Sequence, residues 1–326
     1  MRSHPLDKAQ MRQDILGIPQ QFALGYELAR AIKSRRVNPQ SVIIYGMGGS
    51  ALPGELLQLF AKSLSLKKPI YINRDYELPP YADKKDMHIF ISYSGNTEET
   101  LSAYKEARRQ AFPHMIIIAS GGTLMADAQK NGITTVLVPG GIQPRMALGY
   151  QFAALLGVLE RMGIIATQQD MITRLAKTLN SKILEKEGKK LAKKFNDKIL
   201  TFYAPDEYRA LAYILKIQMN ENGKTHAFLN TIPEMQHNEL MAARDNKPIQ
   251  PVILNPLTHG TWKRRVAIIK SLLPQAHTID INNKNIYNGV FATLTLGNWI
   301  SYYTALNNNI DPSPVHLVEA LKKELA

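Results

Sequence analysis

The sequence predicts an α/β protein of two doubly wound units, each a mainly parallel sheet flanked by helices, with an added C-terminal helix. Three observations carry this reading. Short β-branched runs alternate with amphipathic stretches through the first half, the pattern of strand–helix–strand units in a parallel sheet. A long polar helical segment then leads into a second series of the same kind. The 326 residues suffice for two cores of ordinary size.

In chain order, a helix at about Asp14–Ser34 precedes the first strand. Strands are expected at Ser41–Tyr45, Pro69–Asn73, Met87–Ser92, Met115–Ala119 and Thr134–Val138, with helices at about Ala51–Ser63, Thr97–Ala111, Thr123–Asn131 and Pro144–Met162. The polar segment reads as one helical stretch, about Gln168–Phe195, so residues 1–165 form an N-terminal unit and 166–326 a C-terminal one. The second unit opens with a strand at Lys198–Ala204 and a helix at Glu207–Asn220, followed by strands at Pro251–Asn255 and His277–Ile281. Two helices, about Ile286–Asn307 and Val315–Leu325, close the chain on either side of the Asp311–Pro312 turn. In doubly wound sheets ligands sit beyond the carboxyl ends of strands. Functional residues are therefore sought in the loops that lead into helices.

Hydrophobic residues at 45% and charged residues at 21% place the chain among globular proteins. Its first thirty residues lack a long apolar core, so neither a signal peptide nor a membrane span is expected, and the cytoplasm is the expected location. The absence of cysteine excludes a disulfide framework, a thiolate zinc site and a cysteine nucleophile. A net charge of +13 fits nucleic acid, an anionic membrane surface or an anionic small substrate. The densest basic run, Lys182–Lys194, has Ile183, Leu184, Leu191 and Phe195 recurring at roughly helical spacing among its lysines and reads as a solvated helix face. No stacking aromatics are interleaved with it and no nucleic-acid motif occurs, so the small anion is favoured and no nucleic-acid or membrane partner is expected.

Strand Ser41–Tyr45 runs into Gly46-Met47-Gly48-Gly49-Ser50-Ala51 and a helix. Glycines let backbone approach an anion closely, and a helix N-terminus adds N–H groups with partial positive charge. The string also satisfies the G-x-G-x-x-G/A fingerprint, so a dinucleotide-dependent oxidoreductase is an alternative on this motif. The third strand delivers Ser92-Tyr93-Ser94-Gly95-Asn96-Thr97-Glu98-Glu99-Thr100. The hydroxyls of Ser92, Ser94 and Thr97 can converge on one anion, although Thr97 and Thr100 also read as simple helix capping. A dinucleotide needs no such cluster at that strand, whereas a terminal phosphate does. The balance moves to a sugar phosphate. These segments, Gly48-Gly49-Ser50 and Ser-x-Ser-Gly-Asn-Thr-x-Glu-Thr, resemble the sugar isomerase (SIS) domain. The resemblance implies that Ser92, Ser94 and Thr97 hold the substrate phosphate, with Gly48, Gly49 and Ser50 beside it. SIS proteins include non-catalytic sugar-phosphate-binding regulators as well as enzymes.

Three further positions invite a chemical reading. Arg145, in Gly140-Gly141-Ile142-Gln143-Pro144-Arg145, falls in the first turn of the next helix, where a cation is disfavoured unless an anion is near. It is either a surface arginine or a group that stabilises an enediolate oxygen. Glu221, in Asn220-Glu221-Asn222-Gly223-Lys224, ends a helix for which the adjoining Gly223 suggests a C-terminal cap; it is either a solvated end residue or a base for proton transfer next to a carbonyl. His237 lies in the polar cluster Pro233-Glu234-Met235-Gln236-His237-Asn238-Glu239, without a second histidine at zinc-ligand spacing. It is either structural or a general acid–base group oriented by Glu234 or Glu239.

Together these segments resemble the bifunctional phosphoglucose/phosphomannose isomerases, over almost the whole chain and including Asp311-Pro312-Ser313-Pro314-Val315 and Leu321-Lys322-Lys323-Glu324-Leu325. The resemblance implies interconversion of glucose 6-phosphate with fructose 6-phosphate, and of mannose 6-phosphate with the same product, through a shared enediol. It implies Glu221 as the base between C1 and C2, His237 in ring opening, Arg145 facing the enediolate and Lys322 at the ring oxygen. It also implies a homodimer in which His237 reaches in from the other subunit. The chain departs from the family pattern at Gln236, often Asn, and at Gln143-Pro144, often two prolines. Neither metal nor nucleotide cofactor is required, since Arg145 can carry the electrostatic work. Of the alternatives, a regulator calls for a helix-turn-helix module that finds no spare segment here. An oxidoreductase calls for an acidic residue ending the second strand, where Asp75 is only loosely placed.

Overall fold

The computed structural model describes residues 4–243, 248–257, 261–282 and 284–325, without the side chains of Ala243, Thr261, Lys322, Lys323 and Leu325. The chain divides into two compact units, one of Gly17–Thr178 and one that joins the residues up to Leu16 with those from Leu179 onward.

The first unit runs from α1 (Met11–Arg30), whose opening turns are counted with the second unit, through β1 (Val42–Tyr45), α2 (Leu52–Phe60), β2 (Ile70–Asn73), β3 (Met87–Ile91) and α3 (Glu98–Arg109). It continues with β4 (Met115–Ala119), α4 (Gly122–Lys130), β5 (Thr134–Leu137), α5 (Leu148–Arg161) and α6 (Gln169–Thr178). The five strands form one parallel sheet in the order β2-β1-β3-β4-β5. Every residue of β1, β3 and β4 is buried, as central strands covered on both faces must be. One layer of the core gathers Ile43, Tyr45, Phe90, Tyr104, Ile117 and Leu124. The five expected strands all form, each end within one residue of the expected position.

The second unit contains α7 (Ser181–Lys194), β6 (Ile199–Ala204), α8 (Arg209–Glu221), β7 (Ala227–Thr231), α9 (Ile232–Met235) and α10 (Leu240–Ala243). After these come β8 (Ile249–Asn255), α11 (Thr261–Leu272), β9 (His277–Asp280), α12 (Ile286–Asn307) and α13 (His316–Leu325). Its sheet is parallel in the order β7-β6-β8-β9, which repeats the strand order of the first unit one strand short. Tyr203, Ile232, Met235, Ile253, Val266, Ile269 and Leu273 form a core cluster beside it. Among the described residues no helix is long and apolar enough to cross a membrane.

Two expected helices are in fact broken. The polar segment splits at Leu179–Asn180 into α6 and α7, because the Asn180 side chain accepts the Ile183 N–H at 3.0 Å and caps a new helix. The stretch expected as Pro144–Met162 divides into a three-residue 3₁₀ turn, Pro144–Met146, and α5. The segments β7 and α9 to α11 were not expected from the sequence. At the other end, Asp7 starts α1 earlier than expected: its carboxylate accepts the N–H groups of Met11 and Arg12 at 2.7 and 3.0 Å, and the Tyr302 hydroxyl at 3.1 Å.

Candidate active site

In the first sheet, strand order reverses between β1 and β3, and the crevice beyond their carboxyl ends is where a doubly wound sheet binds its ligand. The loop after β1 supplies Gly46 to Ser50, and the loop after β3 supplies Ser92 to Thr97. A hydrogen bond joins them: the Tyr93 backbone N–H donates to Ser50 Oγ at 3.0 Å. Gly48 takes φ +48°, and a Cβ there would meet nothing within 4 Å, so this stretch of backbone borders open space.

The three hydroxyls of the second loop differ in exposure. Ser92 is fully enclosed; its hydroxyl donates to Thr97 Oγ1 at 3.0 Å and accepts the Gly95 N–H at 3.1 Å. Ser94 is exposed, and its hydroxyl accepts the Asn96 N–H at 3.3 Å. Thr97 is half-buried at the N-cap of α3 without making a side-chain capping bond. The reading of Thr97 as a mere cap is therefore not what the geometry gives. Gly95 lies at φ +70°, and a Cβ there would come 1.9 Å from Gly121 O. Asn96 accepts the Thr123 N–H at 2.9 Å, tying the loop to the start of α4.

Arg145 reaches this region from the third side. It lies in the 3₁₀ turn ahead of α5, not in the first turn of a helix, so the macrodipole argument made from sequence does not apply to it. The side chain is 6% exposed, and one of its N–H groups donates to Gln143 Oε1 at 3.3 Å. Gly49 allows the approach: a Cβ there would lie 3.0 Å from the Arg145 backbone nitrogen. Gln21 pins the turn, donating to Met146 O at 2.9 Å and accepting the Gly149 N–H at 3.1 Å.

In the second unit Glu221 is the last residue of α8 and is half-buried. The turn that follows it is held by its neighbours. Asn220 donates to Thr225 O at 3.0 Å, while the fully enclosed Asn222 donates to Asn298 Oδ1 and Ser301 Oγ on α12 at 3.4 and 3.3 Å. The Lys224 ammonium donates to Glu221 O at 2.5 Å and to Pro314 O. Lys224 takes the left-handed conformation, φ +55°, whereas Gly223 does not; Gly223 serves instead because a Cβ would lie 2.8 Å from Met219 O.

His237 is exposed on the turn after α9, and its backbone N–H donates to Glu234 O at 3.0 Å. Neither carboxylate expected to orient the ring does so among the described residues. Glu239 accepts the Tyr203 hydroxyl at 2.9 Å and Asn230 Nδ2 at 2.6 Å, and Glu234 accepts Asn238 Nδ2 at 2.7 Å. Burial and the Glu239 carboxylate push the Tyr203 hydroxyl well above the usual phenol range. Lys322 belongs to α13, and its side chain lies outside the described residues. Among the described residues no cluster of His, Asp and Glu is suited to a metal ion. A cavity of about 460 Å³ lined by Leu240, Met241, Leu272 and Pro274 contains none of the candidate groups.

The first sheet's loops thus bring together Gly49, Ser50, Ser92, Thr97 and Arg145. Sequence reasoning passed over Tyr93, which occupies the unspecified position of Ser-x-Ser and is only 5% exposed; a tyrosine with its polar tip between two candidate serines was the available signal.

A family model described as the bacterial phospho-glucose isomerase C-terminal SIS domain matches residues 184–325. The chain is similar to the bifunctional phosphoglucose/phosphomannose isomerase of Caldicellulosiruptor bescii, 33% identical over 97% of this chain and 99% of that one. The protein of the same description from Aquifex aeolicus is 33% identical over 88% of this chain and 90% of its own. Among solved structures, the C-terminal domain of glucosamine-fructose-6-phosphate aminotransferase from Francisella tularensis superposes with a TM-score of 0.70 at 15% identity. It covers 95% of this chain and 99% of that one, a likeness of fold.

Proposed function

This chain belongs to the bifunctional phosphoglucose/phosphomannose isomerase family, and from that premise we propose that it interconverts glucose 6-phosphate and mannose 6-phosphate with fructose 6-phosphate. The observation that carries the reading is the junction of Ser50, Ser92 and Thr97 at the strand-order reversal of the first sheet. Ser94 and Thr97 present hydroxyls to the phosphate, Ser92 orients Thr97, and Gly48, Gly49 and Ser50 line the same crevice. Neutral donors of this kind anchor a dianion without forming a salt bridge, and the net positive charge of the chain favours its approach.

With the phosphate anchored, the chemistry is ring opening followed by proton transfer between C2 and C1. His237 assists the first step, together with Lys322 at the ring oxygen. Glu221 takes the proton from one carbon and returns it to the next, and Arg145 faces the oxygen on which negative charge develops. Because the C2 epimers share one enediol, a single base serves both hexoses. The steps move protons only, so neither a redox cofactor nor a metal is called for. The enzyme acts as a homodimer in the cytoplasm, His237 being supplied by the partner subunit; its exposure on a turn, with Glu239 and Glu234 accepting from Tyr203 and Asn238, supports this. The oxidoreductase alternative gains nothing from Asp75, whose carboxylate accepts the N–H of the adjacent Tyr76 at 2.7 Å.

The direct test is a coupled assay for fructose 6-phosphate, run with EDTA and without nucleotide. Both hexose 6-phosphates are expected to turn over. Binding of either without turnover would instead favour a non-catalytic regulator.

A further inference from the structure

Tyr93 joins every loop that builds the first unit's crevice. Its backbone N–H donates to Ser50 Oγ in the loop after β1. Its carbonyl accepts both the N–H and the hydroxyl of Ser120, at the end of β4, at 2.9 and 2.6 Å. Its phenol crosses to the loop after β5, donating to Pro139 O at 2.9 Å and accepting the Ile142 N–H at 3.4 Å. These last two bonds bracket Gly140 and Gly141, the latter at φ +94°, three residues ahead of the turn that carries Arg145.

A glycine pair gives the backbone of that loop conformational freedom. The Tyr93 hydroxyl removes it from both sides of the pair. Backbone bonds made by Tyr93 hold the phosphate loop, and they need no side chain; the hydroxyl reaches the arginine loop. We propose that the Tyr93 hydroxyl is a positioning residue for Arg145, fixing the guanidinium against the site where charge develops. This rests on the reading of Arg145 as the group that faces that charge. Preorganised donors stabilise charge without reorganising, so looseness in the loop lowers kcat and leaves phosphate anchoring intact.

The test is a double-mutant cycle of Tyr93→Phe and Arg145→Ala, with kcat, KM and inhibition by inorganic phosphate measured for each. Phenylalanine keeps the buried ring, and a melting curve for each variant reports its folding. Tyr93→Phe is expected to lower kcat about tenfold, with KM and phosphate inhibition within about twofold. In the Arg145→Ala background the same change is expected to cost nothing further. An equal loss in both backgrounds, or an unchanged kcat in Tyr93→Phe, overturns the positioning role alone. Full kcat in Arg145→Ala overturns both that role and the reading of Arg145 on which it rests.

Discussion

The Ser92 hydroxyl donates to the Thr97 hydroxyl at 3.0 Å, so a fully enclosed serine at the end of β3 orients the half-buried threonine that opens α3. Thr97 makes no capping bond, which separates its proposed role in phosphate binding from helix stability. Thr97→Ala is therefore expected to raise KM for both hexose 6-phosphates about 10- to 100-fold, the worth of a hydrogen bond to a charged group. Its melting temperature should stay near that of the wild type. Steady-state kinetics and a thermal melt check this; a large loss of stability with unchanged KM would assign Thr97 to the helix instead.

Gly95→Ala is expected to damage fold and site together. The added Cβ would meet Gly121 O at 1.9 Å on backbone already at φ +70°, and neither partner is a side chain able to swing away. A loss of about 2 kcal/mol or more follows from the strained conformation and the clash. Urea unfolding measures it, and a midpoint equal to the wild type would contradict the loop geometry.

Much of this is legible in the amino-acid sequence. The strands of the first sheet announce themselves because β1, β3 and β4 are buried on both faces and read as unbroken apolar runs. Edge strand β7, Ala227–Thr231, escaped because only one of its five residues is fully buried and its Phe228 is exposed. The break between α6 and α7 was readable in principle from Asn180, a capping residue inside a polar run. The hydroxyl cluster was legible as a cluster, since its members are adjacent in sequence. What each hydroxyl bonds to was not, and the partners of Glu239 on β6 and β7 follow only from tertiary packing.

His88, fully buried in β3, is expected to make stability depend on pH. Its Nε2 lies 2.9 Å from Asp83 O, which can only accept, so Nε2 carries the proton and Nδ1 accepts the Tyr45 hydroxyl at 3.0 Å. Burial pushes its pKa below the ordinary histidine value of 6.5, partly opposed by the Asp83 carbonyl and the Asp86 charge. Below 6.5 the unfolded chain binds the proton first, so stability falls as the pH drops from there towards the folded-state value. Urea midpoints between about pH 5 and pH 7 should fall more steeply for the wild type than for His88→Gln. Parallel slopes would show that His88 does not contribute.

Mixing two inactive variants tests the shared site. If His237 serves the partner's substrate, a heterodimer of His237→Ala with Glu221→Gln contains one site with both groups intact. Activity should then reappear when the two purified variants are dissociated and reassociated together. Its failure to appear in a verified heterodimer would mean that each subunit uses its own histidine.

The measurement that bears most directly on the proposed chemistry is turnover by Glu221→Gln with both hexose 6-phosphates, beside calorimetric binding of fructose 6-phosphate. One carboxylate serving one enediol predicts that the two activities fall together by about 10²- to 10⁴-fold while binding stays within a few-fold of the wild type. Retention of either activity at the wild-type rate would contradict it.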